Sequence, residues 1–241
     1  MQKYFLRHNI KPGDITNLSD ADSERIINSH EANEGDLVEV STLNGVYHAK
    51  IVFIDKASVE IEVLEKIAES SNISHLEGLA LIQAVSGDIK FNFLLEKAVE
   101  LGVSEIYPVI TEYSRIDLKE SLKNYKKWEE VVKEASEQSR NPAPTLIHVP
   151  ILLEQLQFST RQRYCLATEN INSKELSDVS KQWKNQNIIC AVGPERGWSS
   201  RDLAFFKQKQ FEFVTLKGNI LRTETAGLVV ASIYHFINGK L

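Results

Sequence analysis

The rhythm of apolar and polar residues changes once along this chain. Between Leu37 and Leu64 it is short and alternating, in the runs Leu37-Val38-Glu39-Val40, Val46 to Ile54 and Val59 to Leu64. Alternation with period two puts one face of a strand on a core and the other in water. Gly35-Asp36 precedes the first run and Asn44-Gly45 follows it. Asn-Gly between β-rich runs is the strongest short hairpin signal. Ahead of them Ser19 to His30 has a helical spacing, with Ile26 and Ile27 on its apolar side. Residues 1–70 are therefore expected to form a small β domain, and hairpin-linked short strands suggest a barrel. The polar, serine-rich stretch 66–76 suits a linker, with the boundary near Ser70 to Leu76 and a second domain over 71–241.

From Gly78 the runs lengthen. Leu79 to Val85 is almost wholly apolar, the pattern of a strand buried on both faces. Ser86-Gly87-Asp88 turns, and Ile89 to Leu101 predicts a helix with Phe93, Leu94, Ala98 and Leu101 on one face, ended by Gly102. Ile106 to Ile110 is the next strand. A helix over about 118–139 aligns Leu118, Leu122, Tyr125, Trp128, Val132 and Ala135, while its lysines are interleaved with acids as on a solvated face. Arg140-Asn-Pro-Ala-Pro144 breaks it. Tyr164 to Thr168 and Ile188 to Val192 read as strands, Lys174 to Lys184 as a helix between them. Ser199 and Asp202 have capping-box spacing and start a further helix. A strand at Phe213 to Leu216 and a last helix capped by Thr223, with Leu228, Val229, Ala231, Ile233 and Phe236 as apolar positions, complete the chain. Strands alternating with helices predict an α/β domain with a largely parallel sheet.

Composition narrows this little. The 241 residues are 42% hydrophobic and 25% charged, an ordinary globular balance. The net charge of −5 lends no support to nucleic-acid binding, although a local basic face supplies phosphate contacts even on an acidic protein. Cys165 and Cys190 lie in apolar runs without metal-ligand neighbours, as buried thiols of a reducing cytosol do. The opening residues lack a signal-peptide core and no run reaches membrane-spanning length, so a cytoplasmic protein is expected. The six histidines are scattered and suggest neither a triad nor a metal site.

Chemistry concentrates in residues 188–227. Gly193-Pro194-Glu195-Arg196-Gly197 follows one buried strand and Gly218 another. Glycine turns at strand C-termini are where open α/β sheets place ligands. The bland alternative is a pair of tight βα turns, since the pattern is neither a Walker A loop nor a GxGxxG fingerprint. Spacing alone does not choose among nucleotide-like ligands.

Gly193 to Gly197 together with Leu216-Lys-Gly-Asn-Ile-Leu-Arg-Thr-Glu-Thr-Ala226 closely resembles the C-terminal signature of the ribosomal RNA small subunit methyltransferase E family. Glu96 to Gly102, Glu134 to Arg140 and the opening Met1 to Phe5 match in order. The resemblance implies a SPOUT-class α/β trefoil-knot domain, a PUA-like N-terminal β-barrel and a homodimer. It implies S-adenosylmethionine-dependent methylation of N3 of one uridine in small-subunit (16S) ribosomal RNA, free or in an assembled small ribosomal subunit, without a metal. By position, Leu166, Ala167, Thr168, Gly193, Pro194, Glu195, Gly197, Leu216, Gly218, Ile220, Leu221 and Thr225 would hold the donor. Removing the uridine proton needs a base or an anion stabiliser; Glu224 and Arg222 are the candidates, the alternative being an Arg222–Glu224 pair, or pairs with partners elsewhere, that only hold the knot loop or the dimer interface. Arg7, Lys90, Lys97, Arg140 and Arg196 are the candidates for RNA contacts. Arg196 stands where the family has glycine, so either its backbone is not left-handed or its side chain has its own task. Ser29-His30-Glu31 replaces an expected arginine. The rival readings are a different target nucleotide, or a non-catalytic RNA-binding ribosome-assembly factor.

Overall fold

The computed structural model describes residues 2–6, 8–30, 32–42, 45–69, 78–139, 144–158, 161–168 and 172–241. The chain divides into two compact units, Met1–Ile73 and Ser74–Leu241.

The first unit contains β1 (Lys3–Phe5), β2 (Ile15–Asn17), α1 (Asp20–Ser29), β3 (Leu37–Thr42), β4 (Gly45–Ile54) and β5 (Val59–Glu69), in the sheet order β1-β3-β4-β5-β2. β1 runs parallel to β3 and the other pairs are antiparallel. Thr42 pairs with Gly45, so β3 and β4 are the antiparallel neighbours that the Asn-Gly signal predicts. Val38, Val40, Tyr47, Ala49, Ile51, Ile61 and Val63 point into one core, which Tyr4, Leu18 and Ile26 also enter. Register shifts at three places between β4 and β5 bend the sheet as bulges do. Ser19 caps α1 by accepting from the Asp22 N–H, and His30 ends it with φ 53.

β5 continues to Glu69, so Lys66 to Glu69 are strand rather than linker. Cross-strand pairing with Gly45 to Tyr47 overrides their polar composition. The remainder of the expected linker, Glu31 and Asn44 lie outside the described residues.

The second unit comprises β6 (Leu79–Ala84), α2 (Asp88–Glu100), β7 (Glu105–Ile110), α3 (Leu118–Gln138), β8 (Leu146–Ile147), β9 (Ile151–Leu152), β10 (Gln162–Leu166), β11 (Lys174–Glu175), α4 (Leu176–Val179), β12 (Ile188–Val192), α5 (Ser200–Gln208), β13 (Glu212–Thr215) and α6 (Thr223–Ile237). The sheet runs β11-β13-β10-β12-β6-β7-β8, with β9 also on β7, and every pairing is parallel. Both faces are covered, which is why the strands read as apolar runs. Leu79 and Leu81 face a core built with α2, α3 and α6, whereas Ala80, Ile82 and Ala84 face one built with α5.

Three helical expectations change. α2 buries Phe91, Leu94, Leu95, Ala98 and Val99, an i, i+3, i+4, i+7, i+8 stripe that leaves Phe93 outside; Phe93, Leu122 and Phe236 are exposed. Lys174 to Lys184 is not one helix but β11, the single turn α4 and a 3-10 turn at Ser180–Gln182. The N-cap of α6 is Arg222, with no side-chain cap bond. Thr223 is already helical, its hydroxyl engaged elsewhere.

At the N-terminal ends of the strands, the fully buried Arg161 pairs with Glu105. His148 Nε2 lies 3.0 Å from Glu105 and the Tyr107 hydroxyl donates to it at 2.7 Å. Burial opposes ionisation of Glu105, but His148, Tyr107 and the Arg161 charge outweigh it and hold the carboxyl below its usual range.

Candidate functional site

The site follows from register. Leu166 at the end of β10 sits beside Val192 of β12 and Val214 of β13, so the chain leaving all three strands emerges at one edge. These are the segments beginning at Ala167, Gly193 and Leu216. Between β12 and β13 the chain crosses the α5 face; after β13 it returns to the opposite face as α6, which packs on α2.

Each return is tied down by a specific contact. The Trp198 indole donates to the Leu166 carbonyl at 2.8 Å and fills the space beside Gly193, where an added Cβ would stand 3.0 Å from its ring. Glycine is therefore required at 193 first by Trp198, and not only by close approach of a ligand. Gly197 has φ 75 and its N–H donates to the Pro194 carbonyl at 2.9 Å, closing the turn. Arg196 is not left-handed: among described non-glycine residues, positive φ occurs at His30, Asn185 and Gln210. Its guanidinium lies 4.9 Å above the Tyr113 ring, a cation–π arrangement. The expected capping box forms, with Asp202 N–H donating to Ser199 Oγ at 3.2 Å and Ser199 N–H donating to Asp202 at 2.9 Å.

On the other side, Thr223 Oγ1 donates to the Gly193 carbonyl and accepts from Gln83 Nε2 at 2.9 Å. Gln83 is buried on β6, and its Oε1 has no partner. Gly227 faces that oxygen, where a Cβ would come within 2.8 Å. Small size at 227 thus lets α6 approach β6, and Thr223 joins the end of β12 to the start of α6.

These contacts enclose a cavity of about 410 Å³, within the range of small-molecule sites. Its wall includes Leu166, Thr168, Gly193, Pro194, Glu195, Gly197, Ile220 and Leu221 of the expected donor-binding set, and both Lys90 and Arg222. Other expected residues stand back from it. The Ala167 N–H donates to Val214. Leu216 packs on the α2–α6 core. Gly218 is exposed with φ 116, and Thr225 is exposed. Glu224 is buried behind the wall, and its Oε2 has no hydrogen-bond partner. No ion pair joins it to Arg222 among the described residues. Lys97 is engaged by Glu96 and Glu100, each at 2.7 Å, away from the cavity wall. Arg7 and Arg140 lie outside the described residues.

Sequence reasoning missed Gln83, Trp198, Tyr113 and Arg115. Trp198 directly follows the glycine turn and was the one with a local signal. At the rim, Glu195 pairs with Lys90 and, at 2.7 Å, with Arg115. The Lys90 hydrogen bond foremost, then the charges of Arg115, Lys90 and Arg222, hold its carboxyl below the usual range. Burial pushes the Cys190 thiol up to about 12, which leaves it inert. Among the described residues no His, Cys, Asp and Glu cluster could hold a metal, and no helix is long and apolar enough to cross a membrane.

Comparison with known proteins adds the identity of this arrangement. Residues 74–235 match the model of an RNA methyltransferase domain. The ribosomal RNA small subunit methyltransferase E of Aquifex aeolicus is 32% identical over 191 residues, 78% of this chain and 80% of that one. Its Bacillus subtilis namesake is 27% identical over 96% of this chain and 95% of its own. The crystal structure of the Neisseria gonorrhoeae enzyme bound to S-adenosyl methionine superposes with a TM-score of 0.81 at 25% identity, covering 99% of this chain and 98% of that one. The parallel sheet of the second unit is thus a SPOUT-class methyltransferase fold, accompanied by the small β sheet of the first, and the chain belongs to the ribosomal RNA small subunit methyltransferase E family.

Proposed function

We propose that this protein transfers a methyl group from S-adenosylmethionine to N3 of a uridine in small-subunit ribosomal RNA. The observation that carries the reading is the cavity at the ends of β10, β12 and β13, in a chain of this family. Its volume suits a nucleoside-sized ligand. Leu166, Val192, Ile220 and Leu221 supply apolar walls, and the 193–197 turn supplies backbone groups. Leu166, Thr168, Gly193, Pro194, Gly197, Ile220 and Leu221 would hold the donor, with Ala167, Leu216, Gly218 and Thr225 shaping the loops behind them. The donor supplies an electrophilic methyl group; the chain's own residues hold it, exclude water and manage the uridine proton.

Arg222 is assigned the cation that stabilises charge developing on the uracil oxygens, because it stands on the cavity wall without an ion pair of its own among the described residues. Glu224 is assigned the proton acceptor. The support is its buried, unpartnered Oε2, one residue behind the wall residue Thr223. Arg222→Ala is expected to lose turnover by about a hundredfold while keeping donor binding; near-normal turnover would remove the assignment. Lys90 and Arg196 are assigned RNA contacts, with Arg7 and Arg140 carried by the resemblance. A homodimer is inferred too, supported by Ile89 and Phe93 on α2 and Phe236 on α6, which are large, apolar and exposed. With ribosomal RNA as substrate, the cytoplasm is the inferred place of action.

The test supplies labelled donor and unmodified small ribosomal subunits and maps the product by mass spectrometry. Methyl label at uridine N3 is expected. Label on another base would replace the target, and failure to bind S-adenosylmethionine in a calorimeter would reject the enzyme reading altogether.

A further inference from the structure

Four cations stand on or beside the cavity wall of an otherwise acidic chain. Lys90 and Arg222 line it, Arg115 pairs with the wall residue Glu195, and Arg196 lies between the wall residues Glu195 and Gly197. Lys90 comes from α2, Arg115 from the segment between β7 and α3, Arg196 from the glycine turn and Arg222 from the start of α6. Among the described residues, one carboxylate stands in ion-pair contact with them. Its two oxygens are divided: Oε1 of Glu195 takes Lys90 and Oε2 takes Arg115 at 2.7 Å. The Arg115 side chain is 69% exposed despite this pair, so its guanidinium keeps donors open to solvent. The neighbouring residue Arg196 lies on Tyr113, two residues before Arg115. The 111–117 segment is thus held against the glycine turn by one ion pair and one cation–π contact.

A carboxylate bridging two cations with separate oxygens presents two anionic oxygens, as a phosphodiester presents its two non-bridging oxygens to the same kind of donors. We propose that Glu195 is a built-in stand-in for an RNA phosphate, and that Lys90 and Arg115 form the phosphate cradle that a phosphodiester beside the target nucleotide takes over from it. The inference rests on the proposed RNA substrate and adds a site to it. It also gives Glu195 a different role from donor binding. The carboxylate keeps the two side chains extended and pre-paired, so that the backbone of the bound strand finds them in place. It also disfavours other anions, because any ligand must outcompete a tethered one. Glu195 is ionised at neutral pH in this setting, as its lowered pKa requires.

The test is fluorescence anisotropy of a labelled oligouridine on the full-length protein across a potassium chloride series, with S-adenosylmethionine titrated calorimetrically into each variant. Arg115→Ala is expected to weaken RNA binding by about two- to fivefold, the range of exposed ion pairs, and to flatten the salt slope by about 0.7 for one lost phosphate contact on a single strand. Glu195→Gln is expected to do the opposite, tightening RNA binding by a similar factor, and most strongly while both Lys90 and Arg115 are present. In Arg115→Ala/Glu195→Gln the gain is smaller than in Glu195→Gln alone, a coupling that a mere change of net charge does not produce. Glu112→Gln makes the same charge change three residues from Arg115 and controls for it. Unchanged or weakened RNA binding in Glu195→Gln overturns the proposal. So does Arg115→Ala weakening donor binding alone, which would make the donor's own carboxylate the natural occupant. Absence of donor binding by the wild-type protein would instead count against the enzyme reading, leaving the RNA arm to stand or fall on its own.

Discussion

Two clusters of buried polar groups, one at each end of the parallel sheet, are handled in opposite ways. At the N-terminal ends, Arg161, Glu105, His148 and Tyr107 form a saturated set, with Arg161 also within 3.4 Å of the Gly78 and Ile188 carbonyls. At the C-terminal ends the groups are only partly satisfied: Gln83 Oε1 and Glu224 Oε2 have no partner, and Glu195 shares its cations with solvent. Saturation fixes the strands β6, β7, β10 and β12 relative to one another. Leaving donors and acceptors open costs stability, and open groups are what a ligand binds to. The same sheet is a lock at one end and a receptor at the other.

The largest expected effect breaks the lock. Arg161→Met leaves Glu105 buried without its cation and should cost about 3–5 kcal/mol in urea unfolding. Replacing Glu105 by Gln in the same chain should restore part of it. If the comparison is right, donor affinity per folded molecule stays unchanged, and a large fall in affinity would mean the two ends are not independent.

A second test titrates the helix that joins the ends. α6 begins at the cavity with Thr223 and ends with His235 against Gly102, where an added Cβ would stand 3.3 Å from the imidazole. Burial foremost, and then the Lys240 charge, lower the His235 pKa from 6.5 to about 4. The neutral ring is therefore the form the fold accepts. Its contribution is complete above pH 6.5 and is lost as the pH falls from there towards 4, amounting to roughly 3 kcal/mol from a shift of this size. Glu105, also lowered, acts in the same direction at lower pH. Unfolding free energy measured from pH 7.5 to 4.5 should decline, and His235→Leu should flatten the decline. An unaltered slope would assign it to other groups.

How much of this could be read from the residues depends on how local the cause is. The all-apolar run at Leu79, the hairpin at Gly45 and the Ser199–Asp202 box are local, and each appears where its pattern places it. The cavity was legible as two glycine turns, because a strand followed by Gly193 or Gly218 is a contiguous signal. What was not legible joins distant parts of the chain. Glu105 and Arg161 are 56 residues apart and read alone as ordinary surface charges. Gln83 and Thr223 are 140 apart, and Thr223 reads alone as a helix cap. Phe93 was misplaced because a helix carrying more apolar residues than one face can bury does not say which of them the sheet will cover. The family resemblance supplied the third loop at Leu166 to Thr168, where no glycine marks the turn.

At the receptor end, Gly193→Ala forces a methyl group against the Trp198 ring. Overpacking of this kind costs about 1–3 kcal/mol, and the displaced indole should release the Leu166 carbonyl. Donor affinity measured by calorimetry is expected to fall by at least about tenfold, near 1.4 kcal/mol. A variant that loses stability but binds normally would show that Trp198 shapes the fold and not the cavity.

The smallest expected effect discriminates most finely. Thr223→Val keeps the shape of the side chain and removes the hydroxyl that links Gln83 to the Gly193 carbonyl. Gln83 Nε2 retains a longer bond to the Ala84 carbonyl at 3.4 Å, and Gly193 is only half-buried, so the stability cost should be about 1 kcal/mol. If Thr223 merely strengthened the fold, a loss of that size would leave the kinetics as they are, just as Arg161→Met does at the other end. If it positions the glycine turn, KM for the donor should rise about fivefold with little change in kcat, since a wall that wavers weakens ground-state and transition-state binding together. Thr223→Ser, which keeps the hydroxyl, should restore KM even where it does not restore stability. A KM that follows stability through both variants would reduce the Gln83–Thr223–Gly193 chain to a second lock, and the contrast between the two ends of the sheet would then rest on the open groups alone.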